Sequence, residues 1–350
     1  MKKFMSMLLS VITLVSGLSV AAFAQGETKP TASVYIRDPF VLTYDGKYYM
    51  YGTGAAHNGY GCYVSEDLEN WSGPYTVFSA DSDPDFDGIG DYWAPECHYY
   101  KGSFYLFATY KSKDTEFRGT GIFKADNPLG PFELISNGHV TPKYRDCIDG
   151  TLYVDEDGQP WIVYVNEWTT NDDGIGEMAA SKLTEDLSQR VGVPKVLFAA
   201  NNHVWTDDHV TDGPFLYKTK DGRLIMLWSN VSDKGYAVGI AWSDNNKVDG
   251  NWYHQPVALY QKGTYFEYNG GHAMLFEDLN GQLTMALHSP NGSTPERPTA
   301  AVFIPVKDTG DTVVIKSDFG FFKNILYFFR RFFLFIYYKF SHIITRIISL

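Results

Sequence analysis

The chain has 350 residues, a formal net charge of −12, and 16% aromatic residues, including 25 Tyr and 24 Phe. So acidic a surface repels phosphate backbones and anionic lipid, which argues against nucleic acid as a partner. Cys62, Cys97 and Cys147 are odd in number and lack CxxC spacing, which argues against a disulfide framework or a zinc site. They are read as buried free thiols, with a bridge between two of them as the alternative.

The first segment reads as an export signal. Lys2 and Lys3 precede an apolar run from Met7 to Val20, and Ala22–Ala24 supply a small-x-small cleavage site. Residues 1–24 are therefore expected to be a signal peptide, and the mature protein to be periplasmic or extracellular. A retained membrane anchor is the alternative.

Five segments then repeat one layout: a short apolar strand, a glycine turn, and a second apolar strand. They are "DPFVLTYDGKYYMYGT" from Asp38, "APECHYYKGSFYLFATY" from Ala94, "DGTLYVDEDGQPWIVYVNEW" from Asp149, "DGPFLYKTKDGRLIMLWS" from Asp212 and "GHAMLFEDLNGQLTMALHS" from Gly271. Their turn glycines, Gly46, Gly102, Gly158, Gly222 and Gly281, recur every 56 to 64 residues. Asp-Gly and Asn-Gly pairs are strong hairpin signals because glycine accepts positive φ cheaply. A further strand-like run follows the hairpins, as in "GYGCYVSEDLENW" and "TGIFKADNPLGPF". A period of this size predicts an all-β, five-bladed β-propeller over residues 32–310, with a β-sandwich of hairpins as the alternative.

In such a blade the first strand runs down the central channel and the second returns. First-strand starts, second-strand ends and third-strand starts should then share one face. That rim is expected to carry Asp38, Glu96, Asp149, Asp212 and His272 from first strands, Glu167 from a second-strand end, and Glu177 from a third-strand start. Carboxylates gathered at one mouth repel each other and raise one another's pKa, which marks a candidate active site. Trp93 and Trp168 on the same rim are candidates to offer flat apolar faces to a ligand. Arg297 is a candidate to bind a ligand hydroxyl. Core packing for the tryptophans and a rim ion pair with Glu296 for Arg297 are the competing readings.

The motifs "IRDPF", "WAPE", "CIDGTLYVDEDGQPW", "VTDGPFLY" and "GGHAMLF", in this order from about Tyr35 to Val306, resemble glycoside hydrolase family 43, nearest its arabinofuranosidase-like branch. The resemblance implies an inverting glycosidase acting on arabinose-, xylose- or galactofuranose-containing glycans. It implies that Asp38 is the general base and that Asp149 orients the general acid. His272 is implied to help hold a metal ion, often calcium, or its waters; no organic cofactor is expected. The family's usual acid is a Glu at the start of blade four, where this chain has Asp212. Aspartate is shorter by roughly 1.5 Å, and a misplacement of that size can cost about 100-fold. Reach therefore puts Glu167 first as acid, with Asp212 and Glu177 as alternatives. An Asp before Pro, an Asp-Gly pair and a lone His each have ordinary structural readings, and it is their concurrence that gives them weight.

The leading functional expectation is an exo-acting α-L-arabinofuranosidase trimming plant-type polysaccharide side chains, with the insertion Phe78–Trp93 walling the pocket. β-Xylosidase or galactofuranosidase activity on the same fold is one alternative; a glycan-binding propeller without activity is another. "RDP" at Arg37–Pro39 and "EC" at Glu96–Cys97 also suggest fructan-cleaving propellers, but "RDP" falls in the wrong blade for them. The last segment, residues 320–350, is basic, rich in Phe, Ile and Tyr, and free of acids. It lacks the roughly 18 uninterrupted apolar residues of a membrane span. It reads as a spurious extension or a membrane-surface helix, and membrane contact depends on it. Oligomeric state is not readable.

Overall fold

In the computed structural model, residues 28–316 are described. The export segment and the basic tail lie outside them. Five antiparallel sheets follow one another along the chain. Blade one holds β1 (Lys29–Pro30), β2 (Arg37–Tyr44), β3 (Lys47–Thr53), β4 (Gly59–Ser65) and β5 (Asn70–Ser79). Blade two holds β6 (Gly88–Tyr100), β7 (Ser103–Ser112), β8 (Arg118–Ala125) and β9 (Glu133–Leu134). Blade three holds β10 (Cys147–Val154), β11 (Pro160–Asn166), β12 (Glu177–Leu183) and β13 (Arg190–Ala199). Blade four holds β14 (Asp212–Lys218), β15 (Leu224–Ser232), β16 (Gly235–Ser243) and β17 (Trp252–His254). Blade five holds β18 (Gly271–Glu277), β19 (Leu283–Ser289), β20 (Ala300–Asp308) and β21 (Val313–Ile315). The fold is the expected five-bladed propeller, and its last strand lies a few residues past 310.

Each sheet uses consecutive strands, so packing between blades holds the ring together. The core is accordingly divided into five apolar clusters, each straddling one interface. Between blades one and two lie Tyr51, Cys62, Cys97 and Leu106. Between two and three lie Phe107, Ile122, Ile162 and Tyr164. Trp161, Val163 and Val165 face Leu216, Met226 and Trp228 across the next interface. Leu227 and Ile240 meet Leu275 and Leu287, and Ile36 and Val41 meet Met274 and Ala286 to close the circle. β11 shows why the pattern works. Its alternate residues point to opposite interfaces, so both faces are buried and the strand is rich in apolar residues up to Val165. All three cysteines are buried and free. No helix among the described residues is long and apolar enough to cross a membrane.

Each innermost strand carries a register shift near its start, between Arg37/Phe40, Trp93/Glu96, Ile148/Thr151, Asp212/Phe215 and Gly271/Met274. The first unpaired residue has positive φ in every blade: Asp38 (52°), Ala94 (41°), Asp149 (57°), Gly213 (50°) and His272 (53°). These are β-bulges with a left-handed first residue, which kink a strand and re-aim a side chain. Asp and His tolerate that region better than bulky residues, yet each such position stores of order 1–3 kcal/mol of strain.

Candidate active site

The bulges correct the expectation that the five first-strand residues are equivalent. Asp38, Asp149 and His272 occupy the kinked position itself. Asp212 is one residue earlier, paired with Ser229 in the place that Arg37 takes in blade one. Glu96 is two residues later, at the place of Phe40, paired with Phe107. Period-two alternation makes a single-residue offset matter, because it changes which way a side chain points.

Three of the predicted site residues meet directly. His272 Nδ1 lies 3.2 Å from Asp38 Oδ1 and 3.6 Å from Asp149 Oδ2. Thr53 Oγ1 donates to Asp38 Oδ2 at 2.6 Å. The Asp38 N–H donates to His288 Nδ1 at 3.1 Å. Asp38 Oδ1 is also 3.2 Å from His288 Nδ1, but that nitrogen already accepts an N–H. His288 is thereby the tautomer whose Nε2–H donates to Asn291 Oδ1, at 3.1 Å, and His272 is the cation facing Asp38. Sequence reasoning passed over His288. Its only signal was the "ALHSPN" motif, whose histidine has no partner nearby in the chain.

Asp212 joins the group through the backbone. The N–H of Gly213 donates to Asp149 Oδ2 at 3.0 Å, and Tyr236 OH donates to Asp212 Oδ2 at 3.0 Å. Gly213 must be glycine. Its φ is positive, and an added Cβ would come within 2.7 Å of His272 Cγ. The "DGP" motif therefore lets His272 pack against the strand that carries Asp212.

The carboxyl groups differ in proton affinity. Burial would raise Asp38, but the charge and hydrogen bond of His272 hold it well below the usual carboxylate range. Burial and the charge of Asp149 push Asp212 up to about 8, against the opposing pull of His272 and Tyr236. Asp149 is raised by burial and by Asp38, while His272 and the Gly213 N–H oppose the rise. Burial lowers His272, yet Asp38 and Asp149 more than reverse this and raise it to about 10.

Glu167 follows β11 and is held by Arg118, close enough to Asp149 to feel its charge. Arg118 Nε donates to Glu167 Oε2 at 2.9 Å, and Arg118 Nη2 lies 2.8 Å from the same oxygen. The same guanidinium reaches Asp91 and Asp146, each at 3.2 Å, and lies 5.2 Å over the ring of Trp93. Burial raises the Glu167 pKa and Arg118 opposes that rise. Glu177 accepts from Asn166 Nδ2 at 2.9 Å, with Arg145 at 3.8 Å. Nothing in the sequence near Glu167 signals Arg118, which is 49 residues away.

Among the remaining candidates, Glu96 is close enough for its charge to raise the proton affinity of both Asp149 and His272. Glu96 is buried in the channel, with Oε2 at 3.1 Å from His98 Nε2. Trp168 is half-buried beside the exposed His209, edge-on at 5.9 Å. Arg297 lies over the rings of Phe266 and Tyr268 at 4.5 and 5.8 Å. The described residues contain no group of three or more His, Cys, Asp or Glu placed to hold a metal. Calcium takes six to eight oxygen ligands, whereas His272 Nδ1 and its two aspartates already satisfy each other. These residues do not fit direct coordination of calcium.

Residues 27–309 match the family described as Glycosyl hydrolases family 43. The chain is 28% identical over 170 residues to an extracellular exo-α-(1→5)-L-arabinofuranosidase of Cellvibrio japonicus, a match covering 45% of this chain and 46% of that protein. It is 24% identical over 171 residues to an extracellular endo-α-(1→5)-L-arabinanase of Bacillus subtilis, covering 46% and 53%. It thus spans about half the length of these curated relatives. Its fold matches the crystal structure of an endo-arabinase from Bacteroides thetaiotaomicron with a TM-score of 0.71 and 37% identity, covering 79% of this chain and 96% of that one.

Proposed function

The chain belongs to glycosyl hydrolase family 43, and from that premise we propose that it is an exported, inverting hydrolase of α-L-arabinofuranosyl linkages, with Asp38 as general base and Asp212 as general acid. One observation carries the assignment: two carboxyl groups of one site are pushed apart, Asp38 downward and Asp212 to about 8. Such a split is how one site supplies both an acid and a base near neutral pH.

An inverting hydrolase activates a water on one face of the sugar and protonates the leaving oxygen on the other. Asp38 is built for the first task. Thr53 and His272 fix its two oxygens, so it stays ionised and points a lone pair at the water. Asp212 is built for the second, since it holds a proton until the leaving oxygen takes it. Asp149 positions that donor. The Gly213 N–H and His272 stabilise negative charge on Asp149, so the shared proton resides on Asp212. His272 balances the charge of the cluster, a role that uses no metal ligand.

The sequence argument from reach favoured Glu167 as the acid. Burial raises its proton affinity too, but the Arg118 ion pair opposes that rise, so Asp212 is the more strongly raised of the two, and we assign Glu167 to the wall beside Trp93. Glu96 supports the channel through His98. Trp93, Trp168 and Arg297 are assigned to sugar contacts around the rim.

Exo action is supported by the likeness to an exo-arabinofuranosidase and by the long β6, whose Asp91 and Trp93 are held to Arg118 as a wall. Endo action is the second reading, favoured by the 37% identity to an endo-arabinase. β-Xylosidase and galactofuranosidase activities are the alternatives among sugars. A panel of nitrophenyl arabinofuranoside, xyloside and galactofuranoside, followed by linear 1,5-arabinan, tests these readings. Arabinose as the sole early product supports exo action, and a ladder of oligosaccharides supports endo action. Oligosaccharide binding without cleavage of any substrate would sink the enzymatic reading in favour of a binding propeller. Retention of anomeric configuration by NMR would sink the assigned mechanism.

A further inference from the structure

The five kinks are linked by a ring of hydrogen bonds with a single break. In each blade the residue just before the kink pairs with one residue of the second strand: Thr53, Thr109, Val165, Ser229 and His288 in blades one to five. Four of these side chains accept the N–H of the kinked residue in the next blade. Thr53 Oγ1 accepts from Ala94 at 2.7 Å and Thr109 Oγ1 from Asp149 at 3.0 Å. Ser229 Oγ accepts from His272 at 2.7 Å. His288 Nδ1 accepts from Asp38 at 3.1 Å and closes blade five onto blade one.

Blade three breaks the pattern. Val165 is fully buried, packs toward blade four, and has no acceptor. A buried N–H left unpaired costs of order 1–3 kcal/mol, so the Gly213 N–H must be received elsewhere. It goes to Asp149 Oδ2 at 3.0 Å.

We infer that Val165 is a positioning residue: by withholding an acceptor at the one break in the ring, it delivers the Gly213 N–H to Asp149 and so locks the Asp149 carboxylate to the strand that carries Asp212. The inference rests on the proposed roles of Asp149 and Asp212. In the other four blades the residue in this slot makes the clamp to its neighbour itself, and Thr53 also donates to Asp38. In blade three the clamp is made by an active-site carboxylate, so one bond both joins the blades and sets the spacing of two acidic residues. Val and Thr are nearly the same shape, and a hydroxyl at this position would restore the ring and compete with Asp149 for the N–H.

The test compares Val165→Thr with Val165→Ala in the full chain, using an aryl arabinofuranoside and arabinan. Val165→Thr should keep its melting temperature within a few degrees and KM within about threefold. Its kcat on arabinan should fall about 10- to 100-fold, the range that small misplacements cost. Val165→Ala, which opens space without adding an acceptor, should melt lower and keep kcat within about threefold. The inference is overturned if Val165→Thr keeps parental kcat, or if the alanine variant loses as much kcat as the threonine variant. A second measurement covers a variant that does not fold. In the otherwise unaltered protein, the assigned Gly213 amide resonance should move on Asp149→Asn, and an unmoved amide overturns the inference. That readout needs no turnover. A parent protein that cleaves nothing would count against the functional reading, while the amide shift would still decide this one.

Discussion

His272 Nδ1 lies 3.2 Å from Asp38 Oδ1, and both residues sit on positive-φ kinks of adjacent blades. The contact joins the last blade to the first at the point where the base is proposed to act. It also makes the base's charge depend on a residue 234 positions away.

The pH dependence of kcat/KM should be bell-shaped. Asp38 must be ionised, and its pKa is held well below the usual carboxylate range, so the acid limb should lie at low pH. Asp212 must be protonated, and its pKa is raised to about 8, so activity should fall as pH rises through about 8. Asp212→Asn should abolish the basic limb. A limb that survives unchanged in that variant would assign the titration to another group.

Asp212→Asn and Glu167→Gln should behave differently. Losing the acid should cost about 10²- to 10⁴-fold on arabinan, and far less on a dinitrophenyl arabinofuranoside, whose leaving group needs little protonation. Glu167→Gln should lower both substrates to a similar extent, because it loosens the wall. It should also cost of order 1–3 kcal/mol of stability, since Arg118 keeps Asp91 and Asp146 as partners. A Glu167→Gln loss confined to arabinan would restore Glu167 as the donor. Denaturant melts and kinetics on the two substrates decide it.

His272→Gln should reduce kcat/KM by at least about 100-fold, because it leaves two buried carboxylates without their cation. Chelator, and calcium added back, should each leave the parent rate within about twofold, since the nitrogen facing the aspartates is already engaged. A rate that collapses with chelator and returns with calcium would overturn this account of the site.

Acid lability should trace in part to His139. Its ring is buried edge-on to Tyr110 at 4.4 Å with both nitrogens unpartnered, and burial lowers its pKa to about 4. The native state therefore favours the neutral ring. This contribution is fully present above the unfolded value near 6.5, and is lost as pH falls from there to about 4. Its size is up to about 3 kcal/mol. His139→Leu should flatten the melting temperature against pH across that window. An unchanged slope would place the lability elsewhere.

Much of the architecture was legible in the chain because it is local. A hairpin turn, a period near 60 residues and an apolar second strand are encoded within each repeat, and five copies imply five blades. Asp38 and Asp149 were legible for the same reason, each being the first residue of a repeat. Asp212 showed the limit. It lies in the same motif position to the eye, but the kink falls on Gly213, so Asp212 belongs with Arg37 in the pairing pattern. Only a hydrogen-bonded register can reveal that.

The proposed roles of the carboxylates rest on contacts that exist only in three dimensions. Proton affinity depends on burial and on charges brought together across blades, and the groups concerned are far apart in the chain: His272 with Asp38, Arg118 with Glu167, Gly213 with Asp149. The repeat carries the strands and the turns. Closing the ring sets one blade's side chains against the next, and that closure determines which carboxyl keeps its proton.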